Sequence, residues 1–482
     1  MSSNGHDGEG GGATRLRKRF PVFDCDAHVN DPIEIWTKYV DPADRELVRQ
    51  TYWRDDRHAI LNGRTTVLGG ANADFAPLYN PICLAGPQMN KRIIRRLMFM
   101  LPLSEEQRDY VEHKGAKDPT ARLREMDLMG IDQVMVIPTM MVMHFPFAEN
   151  EFGARAFARA YNDWAADYCK AAPERLYAAA WLPLQSTRFT VDEIHRTAER
   201  GFRMGLVRPI DALGRYPNQI FGMAGGPGPF DAVFRAFEET GSVLGIHTFP
   251  APEEGSALAG GGQPRAVSPG QLITRSGEHT GIPQRVDSQT MSFIFEAMAW
   301  LAPVLLSGFL DRYPKLKVAI LESNSTWLPA TLDRCDRLFK LYANERRLPS
   351  RRLPSEAFSE QCFIAFESDE TPTFRQWQSF ENIAIWSSDA YHHDGADSWS
   401  AMREMNRIGV PEAAQAKLLG GNARRLYRIE PRTFVDEEPA PIARPAWFPG
   451  GPELDAWAEE QSDPRKNRLR MAARGGMAGS AY

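Results

Sequence analysis

The stretch Phe23, Asp24, Cys25, Asp26, Ala27, His28, Val29 places an ionisable side chain at every second position. On an extended strand alternate side chains share a face, so Asp24, Asp26 and His28 line one side and the apolar residues the other. The apolar side suits packing on helices. Three ionisable groups facing inward are costly to bury unless they are paired, hydrogen-bonded or bound to a metal ion, and a salt-bridge cluster at the strand end is the alternative to a metal site. Further along, other apolar runs end on the same kinds of group. These are Gly245-Ile246-His247, Ile320-Leu321-Glu322 and Trp386-Ser387-Ser388-Asp389, the last followed at once by His392, His393 and Asp394. Taken alone, His247 would be an ordinary core histidine. Together the groups exceed the needs of one zinc ion, since a catalytic zinc takes three protein ligands and keeps one position open. A surplus suggests two ions, and carboxylate-rich sites with imidazoles suit iron or manganese at least as well as zinc.

These groups can meet only if the segments that carry them end at one place. Short apolar runs alternate with helix-period segments, the pattern of a parallel sheet wrapped by helices. Eight strands are expected, at Val22–Val29, Gln133–Pro138, Tyr177–Leu184, Met204–Pro209, Ser242–Phe249, Lys317–Ser323, Cys362–Glu367 and Ile383–Asp389. Helical segments between them include Thr120–Met129, Glu151–Lys170, Val191–Gly201, Phe230–Thr240, Ser292–Gly308 and Trp327–Ala343. That count is an α/β fold of the (β/α)8 TIM-barrel kind, in which the C-terminal strand ends converge on one face. An open doubly wound sheet would more often show a glycine-rich turn after its first strand, and Asp24 to Asp31 holds no glycine. Long βα-loop insertions, 41–119 and 250–284, interrupt the repeat, and loops of that length are usually lids or binding walls. Residues 1–19 read as a disordered N-terminal tail, 20–430 as the barrel and 431–482 as an extended C-terminal tail, one that could wrap a neighbouring subunit.

Among 482 residues, 57 basic and 62 acidic side chains give a net charge of −5, with 43% hydrophobic and 25% charged residues. That excludes a disordered chain, a collagen and a strongly basic nucleic-acid binder. Cysteines at 25, 83, 169, 335 and 362 are odd in number, scattered and without a CxxC. Reduced thiols in a cytoplasm fit this better than a disulfide framework or a cysteine zinc site. Met291–Phe309 is apolar and of about the ~20-residue length that spans a membrane. Glu296 and Pro303 interrupt it and a strand pattern follows, so a buried barrel helix is expected, and no membrane association. The same helix is the expected contact surface of a homodimer. Arg203, Arg208, Lys91, Arg92, Arg95 and Arg96 could meet a phosphate or carboxylate, the alternative being a solvated face. Met140, Met141, Met143, His144 and Phe145 could line a pocket for a large apolar substrate or be plain core. His58, His113, His195 and His279 show no partner pattern, and His6 lies in the tail.

The order of a D-x-H pair on strand one, His on strand five and Asp on strand eight resembles the amidohydrolase superfamily. It resembles in particular the amidohydrolase-related branch that includes the carboxymuconate-semialdehyde and resorcylate decarboxylases. Asp24 to Asp31, Leu321 to Pro329 (LESNSTWLP), Trp386 to Gly395 (WSSDAYHHDG) and Gly420 to Tyr427 (GGNARRLY) match that branch's signatures. The resemblance implies that Asp26 and His28 are the strand-one ligand pair, His247 the strand-five ligand, and Asp389 the carboxylate that binds metal and manages a proton. Three positions depart from the branch: Asp26 stands where many relatives have His, Glu322 where many have a catalytic His, and Tyr391 where Pro is usual. Strand four also lacks the lysine that bridges two metals in many hydrolases.

With its carboxylate surplus the chain is similar to an offshoot of that family, the TIM-barrel non-haem diiron monooxygenases of secondary metabolism and antibiotic biosynthesis. These act largely on coenzyme A-linked substrates such as diterpenoid acyl groups. The leading expectation is therefore two Fe ions held by Asp26, His28, His247, Glu322, Asp389 and one of His392 and His393, with Asp24 and Asp394 as further candidates. Glu322 and Asp389 would be catalytic, dioxygen and an electron donor would be co-reactants, and a bulky, possibly acyl-CoA small molecule would be hydroxylated behind lids that exclude water. The alternative is a Zn or Mn hydrolase or decarboxylase acting on a small carboxylate or amide. In it the ion lowers the pKa of a bound water towards ~7 and Asp389 takes its proton, or the ion clamps a carboxylate without water attack. A third reading, a barrel that only binds, leaves the ligand-type residues at four strand ends without a use.

Overall fold

In the computed structural model, residues 15–54, 58–67, 114–139, 141–142, 145–209, 228–248, 291–345, 352–392 and 395–440 are described. Eight of the strands pair side by side in the order in which the chain makes them. β1 (Phe23–Val29) pairs with β5 (Gln133–Pro138), after an insertion that carries β2 (Tyr52–Arg54), β3 (His58–Leu61) and β4 (Arg64–Val67). The series continues through β6 (Leu176–Trp181), β7 (Met204–Val207), β8 (Val243–His247), β9 (Lys317–Leu321), β10 (Cys362–Glu367) and β11 (Ala384–Ser387), every neighbour parallel. Nearly every residue of these eight strands is buried, as expected of a parallel sheet covered on both faces. Where β11 returns to β1, Ala27 bridges Ala390 and the His28 amide donates to the Ala390 carbonyl. The result is an α/β barrel of eight parallel strands with helices outside, as the strand count predicts.

Local sequence explains the covering helices. Glu151–Cys169 starts at Asn150, whose side chain accepts from the Phe152 and Gly153 amides, and buries Phe157, Tyr161, Trp164, Ala165 and Tyr168 along one face. Pro119–Met129 begins with Asp118 accepting from the Thr120 amide and stops at Gly130. Gly130 has φ +72°, and a Cβ there would meet the Trp399 ring, so glycine is required twice over. Arg45–Thr51 and the antiparallel sheet β2–β3–β4 give the described part of the first insertion a structure of its own. The second insertion, 250–284, lies outside the described residues.

The strands end sooner than their apolar pattern suggests. The third was expected to reach Leu184 and the fourth Pro209, but β6 stops at Trp181 and β7 at Val207. The sixth and eighth were expected to include Ser323 and Asp389, whereas β9 stops at Leu321 and β11 at Ser387. Glu322 (φ +54°) and Asp389 (φ +50°) take the left-handed conformation, which a ladder cannot continue through. The Met291–Phe309 segment forms the helix Phe293–Leu306, with Ala297, Trp300, Leu301 and Val304 buried and Phe295 and Leu306 exposed. Among the described residues no helix is long and apolar enough to cross a membrane.

The described parts of both tails are ordered against this chain's own barrel. Arg17 bridges Glu437, the Lys18 amide donates to Asp436 and the Glu438 amide to Leu16. Asp132, fully buried at the start of β5, holds this strap: it accepts from the Lys18 ammonium, from the Val22 amide at 2.7 Å, and from the Phe434 and Val435 amides at 2.6 and 3.0 Å. Removing one partner of a buried ion pair strands the other charge, at a cost of about 3–5 kcal/mol. Asp132→Ala is therefore expected to lower unfolding free energy by that order in a denaturant titration; a loss under about 1 kcal/mol would show that the strap does not hold the fold.

Candidate metal centre

Asp26 and His28 leave the end of β1 beside a register shift: Asp24 faces Val134 on β5, but Ala27 faces Val136, so β1 uses one residue more than its partner. Simple alternation therefore misplaces Asp24. Its carboxylate accepts from the Asp26 amide at 3.2 Å, the Ser388 amide at 3.0 Å and the Ser388 hydroxyl, and so ties β1 to the loop after β11. Burial raises the Asp24 pKa to about 7. Asp24 is a seam between the first and last strands and stands outside the ligand cluster.

His28 is oriented by its own backbone surroundings. Its Nδ1 donates to the Pro138 carbonyl at 3.0 Å, which leaves Nε2 as the one atom free to bind. That Nε2 lies 3.3 Å from Asp26 Oδ1 and 3.3 Å from Asp389 Oδ1. His247, the last residue of β8, holds Nδ1 2.6 Å from the Thr248 carbonyl and points Nε2 to within 3.7 Å of Asp26 Oδ2. Glu322 joins from the end of β9, its carbonyl held by the Thr248 hydroxyl. Asp389 accepts from His392 Nδ1 at 2.7 Å, and the His392 ring lies 3.9 Å from that of His28.

Two donor groups result, Asp26–His28–His247–Glu322 and His28–Asp389–His392, each with ligand atoms within 4.8 Å of one another. Both Asp26 oxygens, Nε2 of His28 and His247, and Oδ2 of Asp389 are buried without a hydrogen-bond partner. A divalent cation satisfies such atoms together. The 3.3 Å separations fit as well, since two donors each ~2.1 Å from one ion lie roughly 3.0–3.4 Å apart. Of the remaining candidates, His393 and Asp394 lie outside the described residues.

The electrostatics follow from this crowding. Burial pushes the His247 pKa down to about 4, so that its imidazole is neutral, as a ligand must be. Burial also disfavours the charged form of His28, but the adjacent Asp26 and Asp389 carboxylates outweigh it and raise the pKa to about 10. For Asp389 burial acts upward, and the His392 and His28 imidazoles more than offset it, holding the carboxyl well below the usual range.

Supporting residues escaped the sequence pattern. Arg122 is fully buried, donating from Nε to the Gly115 carbonyl and the Tyr168 hydroxyl at 3.1 and 2.7 Å and from Nη2 to the His28 carbonyl, with its guanidinium 4.6 Å from the Tyr391 ring centre. The signal was the spacing Arg122, Met126, Met129, which sets an arginine on the buried face of its helix. Arg208, considered as an anion-binding residue, pairs instead with Glu296 at 3.0 Å, both side chains fully buried. Arg203 is exposed, and His195 lies at the surface 3.5 Å from Glu239. Met141 and Phe145 are buried core; Met140, Met143, His144, His6, His113, His279 and the basic residues 91–96 lie outside the described residues, as does the His58 side chain.

The amidohydrolase family model matches residues 23–429. No curated protein matches the chain. Solved structures do. An amidohydrolase from Mycobacterium avium subspecies paratuberculosis is 18% identical, with a TM-score of 0.60 over 85% of this chain and 99% of that one. A 5-carboxyvanillate decarboxylase from Novosphingobium aromaticivorans, with bound manganese, is 18% identical, with a TM-score of 0.55 over 86% of this chain and 99% of that one. A dihydroxybenzoic acid decarboxylase from a Polaromonas species, also with manganese, is 15% identical, with a TM-score of 0.51 over 85% and 97%. At this identity the likeness is one of fold.

An ion that binds only the folded state raises its stability by about 2.7 kcal/mol at a hundredfold excess over Kd. Manganese added to metal-free protein is expected to raise the melting temperature, and Asp26→Ala or His247→Ala to abolish the rise. Asp24→Ala should keep the rise while lowering the baseline stability by ~1–3 kcal/mol, because three donors lose their acceptor. The opposite pattern would exchange the roles of Asp24 and Asp26.

Proposed function

We propose that this chain, which belongs to the amidohydrolase family, is an enzyme that holds one divalent ion of the manganese or zinc kind and decarboxylates a small carboxylate substrate. The observation that carries the reading is the convergence of buried atoms without hydrogen-bond partners from Asp26, His28 and His247, with Asp389 Oδ1 3.3 Å from the same His28 Nε2. Support for the reaction class comes from the manganese-bearing carboxyvanillate and dihydroxybenzoic acid decarboxylases that share the fold. The expectation of two ferrous ions has less behind it. Both donor groups draw on His28, whose Nδ1 is committed to Pro138, and one Nε2 serves one ion.

When bound, such an ion supplies fixed positive charge that holds a substrate carboxylate and an adjacent oxygen and stabilises negative charge as it develops. The side chains do the rest. Pro138 and Thr248 fix the two imidazole rings through their carbonyls, so the ligands are set before substrate arrives. His392, whose side chain is 18% exposed while Asp26, His28, His247 and Asp389 are buried, links the Asp389 carboxylate to solvent. In decarboxylation the bond from the substrate carbon to its carboxylate breaks, carbon dioxide leaves and the carbon takes a proton. The Asp389–His392 pair, in contact at 2.7 Å, would deliver that proton. Hydrolysis of an amide, the runner-up, would ask the same pair to accept a proton from water.

The test is carbon dioxide release from hydroxylated benzoic acids by manganese-loaded protein. His392→Asn is expected to lower turnover by about 10²–10⁴ while metal content stays at one ion per chain. Two irons per chain with dioxygen uptake would sink this proposal in favour of the oxygenase, and amide cleavage without carbon dioxide release would favour the hydrolase.

A further inference from the structure

The turn that carries Glu322 is built around a second acid, Glu370, which follows β10. The residue is 6% exposed and its carboxylate accepts five hydrogen bonds. Oε2 takes the Ser325 amide at 2.9 Å, the Ser325 hydroxyl at 3.0 Å and the Thr373 hydroxyl at 3.1 Å. Oε1 takes the Asn324 side-chain amide at 3.2 Å and the Glu367 amide at 2.9 Å. Three of these five donors belong to Asn324 and Ser325, just beyond Glu322. In the same turn Glu322 and Asn324 both hold positive φ, +54° and +53°, a conformation Asn tolerates but one that is uncommon for Glu unless its surroundings hold it. The Trp327 indole donates to the Ser323 and Asn324 carbonyls at 3.0 and 3.1 Å, but it belongs to the segment being held. Glu370 is the anchor from the neighbouring strand.

We infer that Glu370 is a positioning residue of the metal centre: it locks the 322–325 turn from the end of β10 and so fixes Glu322 among the ligands. This rests on the metal-centre reading above. A carboxylate is the group the position requires, because every partner is a donor and both oxygens are used. Glutamine at 370 keeps the shape but presents an amide NH2 to a set of donors, and the turn loses the enforcement of its two positive φ values.

The experiment uses the full chain stripped of metal. Manganese affinity is titrated for wild type, Glu370→Gln, and Glu370→Gln combined with Asn324→Gly, and hydrogen exchange is followed over residues 322–327 without metal. Glu370→Gln is expected to weaken manganese binding by about 10–100-fold, the usual effect of losing a group that orients ligands, and to speed exchange in that turn. Glycine adopts positive φ without steric cost, so Asn324→Gly should recover a good part of the lost affinity. A purely structural role would lower the unfolding midpoint and leave affinity within about twofold, which would overturn the inference. Should Glu370→Gln fail to fold, Ser325→Ala with Thr373→Val removes two hydroxyl donors under milder conditions, and unchanged affinity there would overturn it equally. Wild type that binds no divalent ion would sink the metal-centre reading and this inference with it; wild type that binds while the variants match it sinks the inference alone.

Discussion

Negative charge and bare imidazole nitrogens are concentrated at one buried point, and the rest of the structure is arranged around that constraint. Asp26, His28, His247 and Asp389 are all but inaccessible to water, yet both Asp26 oxygens, Nε2 of His28 and His247, and Oδ2 of Asp389 lack hydrogen-bond partners. Left so, each would cost several kcal/mol of unreplaced hydration. A cation removes the penalty at once, and for that reason the metal is inferred from the donors themselves.

Holding such a cluster requires a frame with polar contacts of its own. Pro138 and Thr248 fix the imidazoles from behind, Arg122 holds the His28 carbonyl, and Glu370 holds the turn after Glu322. The left-handed conformations of Glu322 and Asp389 cost roughly 1–2 kcal/mol each and end their strands at the height where the donors must meet. Beyond Ser387, where β11 ends, the chain meets β1 through the isolated bridge of Ala27 with Ala390. Asp24 accepts from Ser388, so the acid nearest the centre in sequence serves barrel closure.

Most of the barrel was legible because a parallel sheet buried on both faces writes itself as uninterrupted apolar runs. Each of the eight expected segments overlaps a strand of the barrel. His247, Glu322 and Asp389 stood out because each breaks such a run with a group that has no reason to be there. Other features depend on information that spacing does not hold. The extra residue in β1 that redirects Asp24 has no glycine or proline to mark it. Glu370 finds its partners 45 residues earlier, and Lys18, Asp132 and Phe434 meet across most of the chain. The carboxylate surplus that suggested two irons resolves in part into structural duty, since Asp24 has donors of its own and His28 offers a single nitrogen.

Diffraction from manganese-soaked crystals, with anomalous data collected near the metal edge, tests the central claim most directly. One anomalous peak per chain is expected, about 2.0–2.3 Å from Asp26, His28 Nε2, His247 Nε2, Glu322 and Asp389. Two peaks bridged by Glu322 would restore the dinuclear expectation. No peak, with Asp26 and Asp389 paired to protonated His28 alone, would contradict the metal centre altogether.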